Sequence, residues 1–276
     1  MKDLTDLDQL REHLRQSGLL AKKSLGQNFL VDRHAVHSIL VAAELHKDDA
    51  VLEVGPGPGV LSLRIAPLVR ELTAVEIDAR MLRPWKHLMA AFPQASIVHQ
   101  DVLKFVPDDQ PYKLVANIPY YITSPILKHF LRNQKIRRPE IIVLLLQREV
   151  AERIVDAKRP PLLSWEIRIF GDAELVARIP RSSFYPSPKV DSAILKIRLR
   201  KQPSLSETDL VPFFLLLSRA YKQPRKTLMN NLTAGGVWQR EPLLQFLKKR
   251  PVSDTIRPHE LTFDDWKALF SALKGS

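Results

Sequence analysis

Residues 51–59 read Val-Leu-Glu-Val-Gly-Pro-Gly-Pro-Gly. Val51 to Val54 form a short, mostly apolar run of strand length, and the glycines behind it permit tight turning and close approach of backbone to a ligand. A strand that breaks into a Gly-rich turn ahead of a helix opens a nucleotide-binding βαβ unit. The spacing here is G-x-G-x-G, and Pro56 and Pro58 remove two of the N–H donors that would cradle a pyrophosphate. A phosphate-free ligand therefore fits this loop better than NAD or ATP, although the loop alone also reads as a plain turn.

Outward from this loop, apolar runs of the same length recur at 72–77, 96–99, 113–116 and 141–146. Most are unbroken rather than alternating, as in strands covered on both faces, and helix-compatible segments separate them. The expected class is α/β. Further strands are expected at 166–170, 175–179 and 192–199, the last one alternating and placed at an antiparallel edge. Upstream, Leu4, Leu7, Leu10 and Leu14 recur at helical spacing and predict an amphipathic helix laid on the main body. After Arg200 a linker-like stretch, KQPSLSE, leads into helices punctuated by prolines. The expected organisation is a domain over 1–200 with an N-terminal helical extension and a small helical domain over 201–276.

The 276 residues carry 42 Lys+Arg against 30 Asp+Glu, a net charge of +12 that suits a polyanionic partner. Residues 201–276 alone hold 12 basic and 7 acidic side chains, which concentrates the surplus there. Hydrophobic residues make up 45%, enough for a packed core. There is no cysteine, which excludes disulfides, zinc ribbons and thiolate nucleophiles. No His/Asp/Glu grouping has ligand spacing, so no metal site is expected. The first residues, MKDLTDLDQLREHL, read as neither a signal nor a transit peptide, and the longest apolar runs are far short of a membrane span. A cytoplasmic location is expected.

Val75-Glu76-Ile77-Asp78 ends the second run, with Glu76 lying 21 residues after Gly55, where a carboxylate can accept both hydroxyls of a ribose. Asp101 ends the next run, placed to accept from an exocyclic adenine amine. Each carboxylate alone also reads as a solvated strand-end residue. The loop, Glu76 and Asp101 together describe an adenosine-containing cofactor without phosphates, for which S-adenosyl-L-methionine is the candidate.

The fourth run continues as Asn117-Ile118-Pro119-Tyr120-Tyr121. The N6 lone pair of adenine is delocalised into the ring and is a poor nucleophile. An acceptor on the Asn117 side chain and a backbone carbonyl near Ile118 would hold the N6 hydrogens and localise that pair while Tyr120 stacks on the base, a mechanism of positioning and electrostatics.

These stretches occur in order with KKSLGQNFL (22–30), LEVGPGPGVLS (52–62), VEID (75–78), QDVLKF (100–105), NIPYYITSPIL (117–127), LLLQREVAERI (144–154), FYPSPKVDS (184–192) and IRPHEL (256–261). The ordered set resembles the ribosomal RNA adenine dimethyltransferase family of the KsgA type, over nearly the whole chain. The resemblance implies a Rossmann-like methyltransferase domain with a small all-helical C-terminal domain. It implies two successive methyl transfers from S-adenosyl-L-methionine to N6 of each of two adjacent adenines near the 3′ end of small-subunit ribosomal RNA, during late assembly of the immature small ribosomal subunit. It places Asn28, Leu30, Gly55, Glu76, Asp101 and Asn117 at the cofactor, and Asn117, Ile118, Pro119 and Tyr120 at the target amine. Phe184, which by itself reads as a core aromatic before a Pro-rich turn, would sandwich the flipped base against Tyr120.

Lys22, Lys23 and Lys189, with Arg219, Lys222, Arg225 and Lys226, would contact phosphates, although the C-terminal cluster alone reads nearly as well as a solvated helix face. Arg148 reads equally as an RNA contact or as a surface Arg–Glu pair. The chain departs from the family at Lys158-Arg159-Pro160-Pro161-Leu162-Leu163-Ser164, where a Tyr-Gly is usual, and the stiffer loop puts its substrate contacts in doubt. Two other readings stand beside the small-subunit enzyme, expected as a monomer: the related macrolide-resistance type acting on large-subunit ribosomal RNA, and a non-catalytic RNA-binding assembly factor.

Overall fold

Every position of the strand that leads into the Gly-rich loop is buried, because it lies inside a seven-stranded sheet. A computed structural model of the chain describes residues 2–21, 25–234, 236, 238–249, 253 and 255–274. They divide into two units, Met1–Glu152 with Asp172–Lys201, and Arg153–Gly171 with Gln202–Ser276. The segment 153–171, expected in the first domain, thus groups with the C-terminal helices.

In chain order the first unit opens with α1 (Leu7–Gln16), β1 (Phe29–Leu30), α2 (Arg33–Ala43), β2 (Ala50–Val54), α3 (Ser62–Ile65), β3 (Glu71–Glu76), α4 (Ala79–Leu88) and β4 (Ala95–His99). It continues with β5 (Lys113–Asn117), α5 (Thr123–Arg132) and β6 (Ile141–Gln147). Next come α6 (Arg148–Val155), α7 (Leu162–Phe170), β7 (Gly171–Ile179), β8 (Phe184–Tyr185) and β9 (Ser192–Leu199). The C-terminal part is α8 (Glu207–Ala220), α9 (Leu228–Thr233), α10 (Arg240–Lys248) and α11 (Phe263–Lys274).

The sheet order is β4-β3-β2-β5-β6-β9-β7, parallel from β4 to β6, with β9 antiparallel to β6. The chain runs outward from β2 to β4 and returns to β5 on the other side of β2. That reversal opens a crevice at the carboxyl ends of β2 and β5, where open α/β sheets bind ligands. Helices flank the sheet because their apolar faces match its two covered sides: Ile39 and Ala43 of α2, Ile65 of α3, and Met81 and Trp85 of α4 share one core with Leu72, Ala74, Val115 and Val143. Local signals fix the helix starts. Asp6, Asp32 and Asp78 cap α1, α2 and α4 by accepting from first-turn N–H groups. In α1, Leu10, His13 and Leu14 are buried, as the leucine spacing predicts.

Two strand expectations need correction. Residues 166–170 are helical within α7, which is buried around most of its circumference, so Ile167 and Ile169 mimic a strand pattern; Pro161 precedes the helix and Gly171 ends it. β9 is not an edge, since it lies between β6 and β7. Its apparent alternation comes from Lys196, which is buried and neutralised by Glu44 Oε1 at 2.7 Å. The strand that does alternate in burial is β7, the true edge.

Gly59 stands at φ +94°, and a Cβ there would lie 2.7 Å from Leu88 of α4. Gly59→Ala is expected to lower stability by about 1–3 kcal/mol, measurable by denaturant unfolding.

In the second unit, Trp165 Nε1–H donates to Tyr221 Oη at 2.6 Å, and the Tyr221 hydroxyl donates to the Pro160 carbonyl at 2.9 Å. The Lys158–Ser164 departure is thereby tied into the helical packing of its own unit. Phe213 of α8 meets Phe270 of α11 edge-on at 5.3 Å. Lys222, Arg225 and Lys226 are exposed and Arg219 is partly so.

Candidate active site

A cavity of about 290 Å³ opens at the crevice between β2 and β5, walled by the segment before β1, the Gly-rich loop, the ends of β3 and β5, the turn after β4, and β8. All ten candidate residues line it: Asn28, Leu30, Gly55, Glu76, Asp101, Asn117, Ile118, Pro119, Tyr120 and Phe184. Residues scattered over more than half the chain converge there because most follow or end a parallel strand of the sheet, Leu30 and Phe184 pair in the small β1–β8 ladder, and Asn28 directly precedes β1.

At the loop, Gly55 has φ +68°, and nothing stands within 4 Å of where a side chain would begin. The open space over Gly55 lets a ligand lie directly on backbone. Glu76 is buried at the end of β3, its Oε2 accepting from Gly57 N–H at 3.1 Å and its Oε1 from Asp78 N–H at 2.8 Å. Burial pushes its carboxyl pKa up, opposed by these two N–H groups. Each oxygen retains a second lone-pair direction, so an anchored carboxyl can still accept from a vicinal diol. Asp101 caps the short turn after β4 by accepting from Leu103 N–H at 3.0 Å.

At the other wall, Asn117 Nδ2 donates to the Asn28 carbonyl at 3.1 Å. Only the NH₂ end of an amide can donate to a carbonyl, so this bond fixes the rotamer and leaves Oδ1 as the acceptor end. Tyr120 Oη shares a 2.7 Å hydrogen bond with Ser192 Oγ of β9, which holds the ring; burial raises the phenol pKa. Phe184 is almost fully buried; it packs in the core and also lines the cavity.

Arg148 pairs with Asp191, Nη1 to Oδ2 at 2.9 Å. Lys189 is exposed, and Lys22 and Lys23 lie outside the described residues.

Sequence reasoning missed several cavity residues. Ile77, Leu103 and Tyr121 line it although they are 57%, 37% and 66% exposed. The signal for Ile77 was its type: an apolar side chain between two carboxylates at a strand end is suited to the face of a flat ring. Glu53 also lines the cavity, fully buried, accepting from Ser62 Oγ–H, while Ser62 Oγ accepts from Trp85 Nε1–H at 2.8 Å. Burial pushes the Glu53 carboxyl pKa up to about 8, helped by the neighbouring Glu76. A folded-state value above the unfolded one gives stability that is full below the ordinary carboxyl range and is lost as pH rises through about 8. Glu53→Gln keeps an acceptor for Ser62 and removes the titration. Thermal unfolding followed from roughly pH 5 to pH 9 is expected to show a flatter dependence for this variant and a higher Tm at the alkaline end. Parallel curves would contradict the assignment.

A family model described as ribosomal RNA adenine dimethylase matches residues 18–273. The chain belongs to the ribosomal RNA adenine dimethylase family. It is an S-adenosylmethionine-dependent ribosomal RNA adenine dimethyltransferase. This dimethylase is 36% identical over 267 residues to a ribosomal RNA small subunit methyltransferase A from Dehalococcoides mccartyi, covering 95% of this chain and 91% of that protein. It is 37% identical to the protein of the same name from Streptococcus mutans, with 98% of each chain covered. Among solved structures, the dimethylase resembles the 23S rRNA methyltransferase ErmE, with a TM-score of 0.74, 29% identity, and coverage of 90% of this chain and 100% of that one. It also resembles a dimethyladenosine transferase from Plasmodium falciparum, with a TM-score of 0.73, 25% identity, and coverage of 87% and 95%. The cavity fits the cofactor: the backbone over Gly55 is open and the buried Glu76 faces it. Among the described residues no helix is long and apolar enough to cross a membrane.

Proposed function

We propose that this dimethylase methylates N6 of two adjacent adenines near the 3′ end of small-subunit ribosomal RNA, twice each, on the immature small subunit. The observation that carries the reading is the anchored amide of Asn117 lining the same cavity as the Glu76 carboxyl, in a chain at least 36% identical to two small-subunit methyltransferases.

When bound, S-adenosylmethionine supplies an electrophilic methyl group on its sulfonium sulfur. Glu76 would accept hydrogen bonds from the ribose hydroxyls and Asp101 from the adenine amine, with Gly55, Asn28, Leu30 and Asn117 lining the cofactor pocket. Asn117 Oδ1 and the Ile118 carbonyl accept the N6 hydrogens of the target, drawing its lone pair out of the ring and toward the methyl donor. Pro119 removes a competing N–H donor from this turn. Tyr120, braced by Ser192, and Phe184 hold the flipped base between them, since a stacked adenine keeps N6 out of reach. The surplus of positive charge, including Lys189 in the first unit and Lys222, Arg225 and Lys226 in the second, engages RNA phosphates. The enzyme acts as a monomer in the cytoplasm.

Methylation assays with the two ribosomal subunits as separate substrates test the target. Incorporation into small-subunit RNA alone is expected, and incorporation into large-subunit RNA alone would overturn the reading.

A further inference from the structure

The residues that would hold the cofactor's ribose and those that would hold the target amine sit on different strands, β3 and β5. Their relative placement decides whether methyl donor and acceptor align. One short segment touches both. Gln27 Nε2 donates to Asp78 Oδ2 at 3.0 Å, two residues beyond Glu76, and the next residue, Asn28, gives its carbonyl to the Asn117 amide. Asp78 is a firm anchor for this bond. It is buried, it caps α4 by accepting from Arg80 N–H, and its own N–H is held by Glu76 Oε1 at 2.8 Å. The Arg80 guanidinium grips its carboxylate at 2.5 Å and reaches the Leu20 carbonyl at 3.4 Å, on the chain entering this segment. Arg80 also holds the Asp78 carboxyl down at about 2, so the acceptor is ionised throughout the neutral range. At the opposite side of the segment, a Cβ on Gly26 would stand only 3.1 Å from Pro119 Cβ, so backbone and target-side turn are in direct contact.

We propose that Gln27 is a positioning residue for methyl transfer, acting through Asp78 to set the Asn28 carbonyl and hence the Asn117 amide relative to the Glu76 end of β3. A hydrogen bond to an ionised, buried carboxylate is a strong, directional tie, and sub-ångström placement of reacting groups carries large factors in rate. The inference rests on the roles proposed above for Asn117 and Glu76.

The test is a double-mutant cycle on the full-length enzyme with small-subunit substrate. Gln27→Leu keeps the volume and removes the donor; Asp78→Asn weakens the acceptor and keeps the helix cap. At saturating cofactor, Gln27→Leu is expected to lower kcat about tenfold or more, with the KM for RNA and the Tm little changed. The double variant is expected to be no slower than the slower single variant, because the two side chains act as one tie. Gln27→Lys, which restores a donor toward Asp78, is expected to recover most of the turnover. Unchanged kcat in Gln27→Leu, or losses that simply multiply in the double variant, would overturn the proposal. A wild-type enzyme inactive on small-subunit RNA would instead overturn the proposed function, so the two failures are separable.

Discussion

Asn117→Ala is expected to lower kcat on the order of 10²- to 10³-fold, the loss seen when one preorganised group facing developing charge is removed. As N6 attacks, its lone pair leaves conjugation and its hydrogens become more acidic, so an acceptor on those hydrogens binds the transition state better than the ground state. Asn117 Oδ1 is suited to this because its amide is already fixed by the Asn28 carbonyl and needs no reorganisation at the moment of reaction. The variant should hold cofactor within about threefold of the wild-type affinity, since the ribose and adenine acceptors, Glu76 and Asp101, are untouched. Single-turnover methylation beside calorimetric titration of cofactor separates the two effects. Near-normal turnover would refute the role of Asn117.

Glu76→Ala should do the opposite, weakening cofactor on the order of 10²-fold while kcat at saturating cofactor changes little, because hydrogen bonds to a charged group contribute about 1.5–3 kcal/mol. Two causes add. The ribose hydroxyls lose their acceptor, and the N–H groups of Gly57 and Asp78 lose theirs in a buried setting. The Gly-rich loop then relaxes around the ligand. Glu76→Gln, which keeps one acceptor oxygen, should fall between. Unchanged cofactor affinity in Glu76→Ala would exclude the ribose contact.

What the chain reveals locally was legible in the sequence. Gly55 to Gly59 announces its turn because glycine and proline act on their own backbone, and Glu76, Asp101 and Asn117 end apolar runs whose order brings them to one edge of a parallel sheet. What depends on distant partners was not legible. Lys196 looks like an outward residue of an edge strand until Glu44, far away in sequence, is seen to neutralise it. α7 presents isoleucines at alternate positions, and only its burial on most sides explains why a helix accepts them. Nothing near Gln27 signals Asp78, 51 residues on. Glu53 carried a weaker sign, a carboxyl inside an apolar strand, which marks a buried group without naming its partners Ser62 and Trp85.

In the function proposed above, this cavity delivers methyl groups to N6 of small-subunit adenines. Incubating the protein with unmethylated small subunits and isotopically labelled S-adenosylmethionine, then analysing nuclease fragments of the RNA by mass, measures this directly. Label is expected in one fragment near the 3′ end, as two methyl groups on N6 of each of two neighbouring adenines. Label on another base, on a single methyl-accepting adenine elsewhere, or none at all under conditions where the cofactor binds, would contradict it.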